Sequence, residues 1–306
     1  MNTITYKLNK KINNNDIYIK RDDLLPFSFG GNKARKAKYF FDDIKLKKAN
    51  YIGTYGSSSS NHCRVIANMA ATCDIPCFIV SPEEESKETY NSLLVEQLGA
   101  EVIKCSLNKV SETIDNKINS LKKEGYNPYF ILGGGHGNLG TQAYVDCFKE
   151  ILEYQLNNDI EFDYIFCASG TGTTQAGLIC GKLIHNCNTK IVGISVAREK
   201  ERGRSVIKQS IDDYIQYKGL KVKCNDEDII FDDSYRCGGY GKYNNQIKSI
   251  ISDVFKYDGI SLNTTYVGKA FWGMKDFLLR NDIENKKVLF IHTGGTPLFF
   301  NDLEDN

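Results

Sequence analysis

The chain has 306 residues, 39 Lys plus Arg against 38 Asp plus Glu, a formal net charge of +1, and 41% hydrophobic and 25% charged residues. This length buries a full core in one large or two ordinary domains, and the globular composition argues against disorder. With no basic excess and no Arg-aromatic interleaving, a nucleic-acid partner is not expected, and no apolar run reaches the length that spans a bilayer.

In chain order, the opening MNTITYKLNKKINNND has no apolar core of an export signal, so a cytoplasmic location is expected. IYIKRDDL (17–24) reads as an extended segment ahead of the main pattern. Strands are predicted at YIGTYG (51–56), CFIV (77–80), EVIKC (101–105), YFIL (129–132), YIFCAS (164–169), KIVGISVA (190–197) and VLFIHTG (288–294). Helix-like stretches fall between them, near 61–72, 89–98, 109–124, 138–156, 173–186, 202–217, 243–257 and 268–280. β-Branched runs separated by helices predict parallel βαβ units, so the class is α/β.

The pattern forms two clusters, joined at Asn157-Asn158-Asp159. A small α/β domain is expected over 49–156, and a large domain from 1–48 plus 157–306. The ten cysteines form no CxxC pair and no ligand-spaced cluster, so they read as reduced packing residues and no metal site is expected.

Four Gly-rich turns sit where strands or loops pass into helices: FGGNKARK (29–36), YGSSSSNHCR (55–64), ASGTGTTQAG (168–177) and HTGGTP (292–297). Such turns expose backbone N–H groups, and four of them suggest one polar ligand in a shared cleft. In ASGTGTTQAG, Gly170 and Gly172 permit close backbone approach, while Thr171, Thr173 and Thr174 add hydroxyl donors. Taken alone, this segment is equally a tight turn with a Thr cap. Lys33 follows two glycines and an Asn, the setting in which a lysine loses its proton and forms a Schiff base. Alone, that segment reads as an exposed basic helix start, and Ser60 and Asn61 read as ordinary helix caps.

Together these blocks resemble the 1-aminocyclopropane-1-carboxylate deaminase/D-cysteine desulfhydrase family, within the fold type II, tryptophan-synthase-β-like enzymes that use pyridoxal 5′-phosphate. The resemblance runs almost end to end. It is carried by IKRDDL (19–24) with GGNKARK, SSNHCR, LLVEQLGAEV (93–102), GGGHGNLGTQAY (133–144), SGTGTTQAGL, GGYG (238–241), TYVGKAFWGM (265–274) and IHTGGTPLFF (291–300). It implies that Lys33 carries the cofactor and acts as the base at Cα of a small amino acid. Asn61 is implied beside the ring 3′-oxygen, and Ser60 facing the substrate. Lys36 and the 170–174 loop would hold the phosphate, and Tyr240 and Tyr266 would close the substrate side. A homodimer is expected.

The resemblance also sets expectations about substrate. The family's cyclopropane deaminases place a Glu after the second tyrosine, able to protonate the pyridine nitrogen; here that position is Val267. Desulfhydrase-type members place a Thr in the HTGG turn, and this chain has Thr293. Val267 is not the usual desulfhydrase residue either, and His136 stands where a smaller polar group is expected. The expected reaction is α,β-elimination from D-cysteine or another β-substituted alanine. The rivals are cyclopropane ring opening, β-replacement, and a non-catalytic binding module.

Overall fold

The computed structural model describes residues 2–85 and 88–304. After β1 (Thr5–Lys7) and β2 (Asp16–Arg21), α1 (Asn32–Leu46) leads into β3 (Tyr51–Tyr55), α2 (Asn61–Thr72), β4 (Cys77–Pro82) and α3 (Tyr90–Gln97). β5 (Glu101–Cys105), α4 (Val110–Lys123), β6 (Pro128–Ile131) and the long α5 (Asn138–Asn158) come next. The remainder is β7 (Tyr164–Ser169), α6 (Thr173–Ile184), β8 (Lys190–Ser195), α7 (Lys200–Lys218), β9 (Ile230–Asp232), α8 (Asn245–Asp258), α9 (Val267–Arg280), β10 (Lys287–His292) and α10 (Thr296–Glu304).

The strands form two sheets, ordered β1-β2-β10-β7-β8-β9 and β5-β4-β3-β6. Every pairing is parallel except β1 on β2. The expected α/β class with parallel sheets is what the chain adopts. β7 is buried along its whole length, as a central parallel strand covered on both faces must be. Its side chains alternate between two cores. Phe166 packs with Val192, Phe290 and the apolar faces of α8 and α9, whereas Ile165 and Cys167 pack with α5, α6 and α7. In the smaller sheet, Ile52, Ile79 and Ile131 face α1 and α2, and Phe78 and Val80 face α4.

The sequence pattern marked a helix start at GGNKARK but not the length or the buried face of α1. Its apolar stripe of Ala34, Ala37, Phe40, Phe41 and Ile44 is interleaved with lysines and aspartates, yet it packs on the smaller sheet. Asn157 and Asn158 are the last turn of α5, not a connection, because Asp159 adopts the left-handed φ of 50° that ends the helix. We propose the division into 49–156 and 1–48 plus 157–306 with two refinements. α1 counts with the smaller body, whose core its apolar stripe joins. α5 counts with the larger body, since Tyr144, Phe148 and Ile151 lie in the core of the six-stranded sheet.

The topology fixes where a ligand sits. From β7 the chain moves outward to β8 and β9, while β10 lies on the other side of β7. From β3 it moves to β4 and β5, while β6 lies on the other side of β3. Each sheet therefore has a switch point, and the crevices open at the carboxyl ends of β7/β10 and β3/β6. The loops leaving those ends are 170–172, 293–295, 56–60 and 132–137.

Candidate active site

The floor begins at Gly31, whose φ of 95° brings the start of α1 against the 293–295 turn. The Asn32 N–H donates to the Thr293 carbonyl at 3.0 Å. A Cβ on Gly31 would stand 2.8 Å from that oxygen, so only glycine permits the approach. α1 is locked from behind by buried charges. Arg35 forks onto Asp22 at 2.7 and 3.0 Å and onto Glu150 at 2.6 and 3.1 Å. Lys20 joins Glu150 at 2.9 Å, and the Tyr144 hydroxyl donates to Asp22 at 2.6 Å. Burial pushes the Asp22 carboxyl up, but Arg35 beside it outweighs that and holds it below the usual range.

So anchored, α1 projects two lysines at one acceptor. The Lys33 ammonium donates to the Gly134 carbonyl at 3.0 Å, and Lys36 Nζ lies 3.5 Å from the same oxygen. Burial brings the Lys33 amine down to about 8. Burial and the charge on Lys33 push Lys36 well below the ordinary lysine value. Among the described residues no carboxylate pairs with either lysine. Opposite them Gly172, with φ 86°, gives α6 no side-chain cap, so the first N–H groups of the helix are left for a ligand. Thr174 Oγ accepts from Asn32 Nδ2 at 3.1 Å, and Thr173 shares a hydrogen bond with His136 Nδ1 at 2.9 Å.

On the other wall, Ser60 caps α2 by accepting from the Cys63 N–H at 3.2 Å, as its capping reading expects. Its own hydroxyl proton stays available. The Asn61 side-chain carbonyl accepts from Asn91 at 3.0 Å and Arg64 at 3.4 Å, which turns its NH₂ the other way, toward Gly295. Thr54 donates to the Ile131 carbonyl at 2.8 Å, so His62, 2.8 Å from that hydroxyl, holds its proton on Nε2. Burial and the charges of Lys33 and Lys36 keep His62 neutral.

At the rim the Tyr240 and Tyr266 hydroxyls are hydrogen-bonded, with ring centroids 5.8 Å apart, and Ser59 Oγ stands 3.4 Å from the Tyr240 oxygen. The cleft between floor and rim measures about 600 Å³. Lys33, Ser60, Asn61, Gly170, Thr171, Gly172, Thr174, Tyr240, Tyr266 and Thr293 all line it. Lys36 and Thr173 lie just beneath, joined to it through Gly134 and His136. Among the described residues no Asp or Glu lines the cleft.

Among the lining residues not singled out from the sequence are Ser169, Arg198 and Arg202. Ser169, at the end of β7, has a buried hydroxyl without a partner. Arg198 donates to the Gly170 carbonyl, and Arg202 lines the cleft beside it. Both arginines belong to AREKER, which reads as a solvated face. His292 is fully buried away from the cleft, bonded to the Ser261 carbonyl at 2.8 Å and the Gly294 N–H at 3.2 Å. One expectation moves. Val267 lies in the apolar core and does not line the cleft, so Thr293 alone represents that pair of positions there.

A lysine with a lowered pKa, beside a second buried lysine and an uncapped helix start, defines a protein that carries an anionic group on its lysine side. The chain belongs to the family of pyridoxal-phosphate dependent enzymes, which it matches over residues 3–294. It is 37% identical to a putative 1-aminocyclopropane-1-carboxylate deaminase of Pyrococcus horikoshii, over 92% of this chain and 84% of that one. It is 32% identical to a D-cysteine desulfhydrase of Yersinia enterocolitica, over 93% and 88% of the two chains. A crystal structure described as an ACC deaminase homologue superposes with a TM-score of 0.89 at 34% identity, covering 100% of this chain and 93% of its own. The cleft fits pyridoxal phosphate. Lys36 is buried without an anion, the Ser169 hydroxyl is buried without a partner, and the carbonyl-reactive amine of Lys33 lies close by.

Proposed function

We propose that this enzyme eliminates the β-substituent of D-cysteine or another β-substituted alanine, taking up water and releasing pyruvate, ammonia and the leaving group. The observation that carries the proposal is the cleft without a carboxylate, whose residue nearest the 267/293 positions is the neutral Thr293. Pyridoxal phosphate, when bound, supplies an electron sink for the pair left at Cα as its proton departs. A hydroxyl partner keeps that sink mild. A carboxylate partner would strengthen it by a charge-assisted hydrogen bond of about 1.5–3 kcal/mol. A thiol leaves readily from such a site, whereas opening an unactivated ring asks for more.

The residues take the following parts in this reading. Lys33 holds the cofactor carbon and takes the Cα proton, a task its amine pKa of about 8 suits at neutral to mildly alkaline pH. Lys36, the Thr171, Thr173 and Thr174 hydroxyls and the 170–174 backbone bind the phosphate. Asn61, with its NH₂ turned from Asn91, donates to the ring oxygen. Ser60, whose hydroxyl accepts within its cap and can still donate, meets the substrate carboxylate. Tyr240 and Tyr266 close the substrate side and exclude water. We further propose a cytoplasmic homodimer; the buried, unpaired thiols fit a reducing compartment, and sedimentation checks the assembly.

The test is a panel of D- and L-β-substituted alanines and the cyclopropane amino acid, read as keto acid formed. Pyruvate from a β-substituted alanine is expected, with little 2-oxobutanoate. The relatives named as putative cyclopropane deaminases make the opposite ratio the reading to beat, and finding it overturns the proposal.

A further inference from the structure

Lys269 lies on α9, three residues beyond Tyr266, and is completely buried. Its ammonium meets three backbone carbonyls, those of Val196 at 3.0 Å, Arg236 at 2.9 Å and Gly239 at 2.8 Å. Three N–H donors thus meet three acceptors, and among the described residues no carboxylate pairs with the charge. Without a cation, three carbonyl dipoles pointed at one spot repel one another, so the charge holds them together.

The carbonyls belong to segments that shape the rim. Val196 follows β8 and precedes Arg198, while Arg236 and Gly239 belong to the turn that presents Tyr240. In that turn Gly238, Gly239 and Gly241 have φ of 90°, 143° and 70°, and a Cβ on any of them would meet nothing within 4 Å. At these three positions no side chain packs to hold the turn, whose other anchors are Cys237 against the core and Arg236 beside Asp233 and Glu199.

We propose that Lys269 is a positioning residue, a built-in monovalent cation that ties the 196–198 and 236–241 segments to α9 and brings the Tyr240 hydroxyl onto Tyr266. Its link to catalysis rests on the reading of these tyrosines as substrate-facing. The carbonyl cluster is then a cation site filled by a side chain. Shortening that side chain opens it to potassium or ammonium, which a bulky quaternary ammonium cannot enter.

The test uses the holoenzyme with Lys269→Ala and with Lys269→Met, in potassium, ammonium or choline chloride at equal ionic strength. Amide hydrogen exchange over 236–241 is followed, with fluorescence of Trp272, the sole tryptophan, whose ring stands 4.9 Å from Tyr235 just ahead of the turn. In choline, both variants should exchange at least about tenfold faster over 236–241, and KM should rise about tenfold with cofactor content kept. Potassium or ammonium should restore Lys269→Ala and leave Lys269→Met, whose side chain blocks the site, unrestored. Native exchange in a folded variant overturns the proposal, as does equal rescue by choline. If Lys269→Ala does not fold, Lys269→Met against the parent decides by exchange alone. A loosened turn with unchanged KM upholds the tether and overturns the substrate-facing reading of Tyr240.

Discussion

The floor and the rim of the cleft are built on opposite plans. In the floor, backbones touch. Gly31 and Gly294 stand so close that a Cβ on Gly294 would lie 2.6 Å from the Gly31 Cα, and one on Gly134 would lie 2.7 Å from the Thr171 methyl. At the rim, the glycines around Tyr240 face open space, and shape comes from hydroxyls and one ammonium. Close backbone contact gives a floor that any added atom disrupts. A rim held by polar tethers can be retuned at its side chains without steric clash, away from the positive-φ glycines Gly238, Gly239 and Gly241. Cofactor binding should thus be brittle and substrate choice adjustable.

The largest effect expected is from Lys33→Ala. It should abolish turnover and the borohydride-fixed pyridoxyl adduct, found by peptide mass mapping, while leaving part of the cofactor affinity to Lys36 and the 170–174 loop. A label on Lys36 in the parent enzyme would break the assignment of the floor. Gly172→Asp comes next, because it forces a side chain into φ 86° and sets a carboxylate at the uncapped start of α6. Cofactor affinity by equilibrium dialysis should fall by about a hundredfold or more, roughly 3 kcal/mol.

A pH measurement tests the same floor without a mutation. Cofactor attachment needs the neutral Lys33 amine, and its pKa is lowered, so the reactive fraction grows as pH rises through about 8. Attachment to the apoenzyme should speed up about tenfold per pH unit below that value and level off above it. A rate still climbing at pH 10 would mean an exposed, ordinary lysine. At the rim, Tyr240→Phe keeps the ring contact and loses the hydroxyl. KM should rise about tenfold with cofactor affinity unchanged, and a loss of cofactor would erase the contrast. Smallest of all, Thr293→Val should change the pyruvate rate about two- to tenfold, since it removes one neutral hydrogen bond.

The sequence made the central strands readable because they are uniform. β7 and β3 lie where their apolar runs place them, and the Gly-rich turns after them mark the cleft. It hid the extent and buried face of α1, whose core stripe is diluted by charges, and β9, only three residues long. Among site residues, Lys33 and Thr174 stand close to glycines in turns the pattern marks, whereas Lys36 and Asn61 took their roles from the family resemblance alone. Lys269 could not be found in this way, because its partners are three carbonyls that any residue supplies. The same holds for Ser169, whose distinction is the hydrogen bond it lacks.

The pairing of β2 with β10 joins Asp16–Arg21 to Lys287–His292, and Asn32 completes its hydrogen bond only when Thr293 is present. A ribosome thus releases Lys33 long before it supplies the far wall of its pocket. While the chain is being made, the lysine is an ordinary solvated amine. The turn that walls that pocket follows β10, the last of the strands described. Cofactor capture therefore waits for β10, and chains that stop before that strand should be unable to retain it.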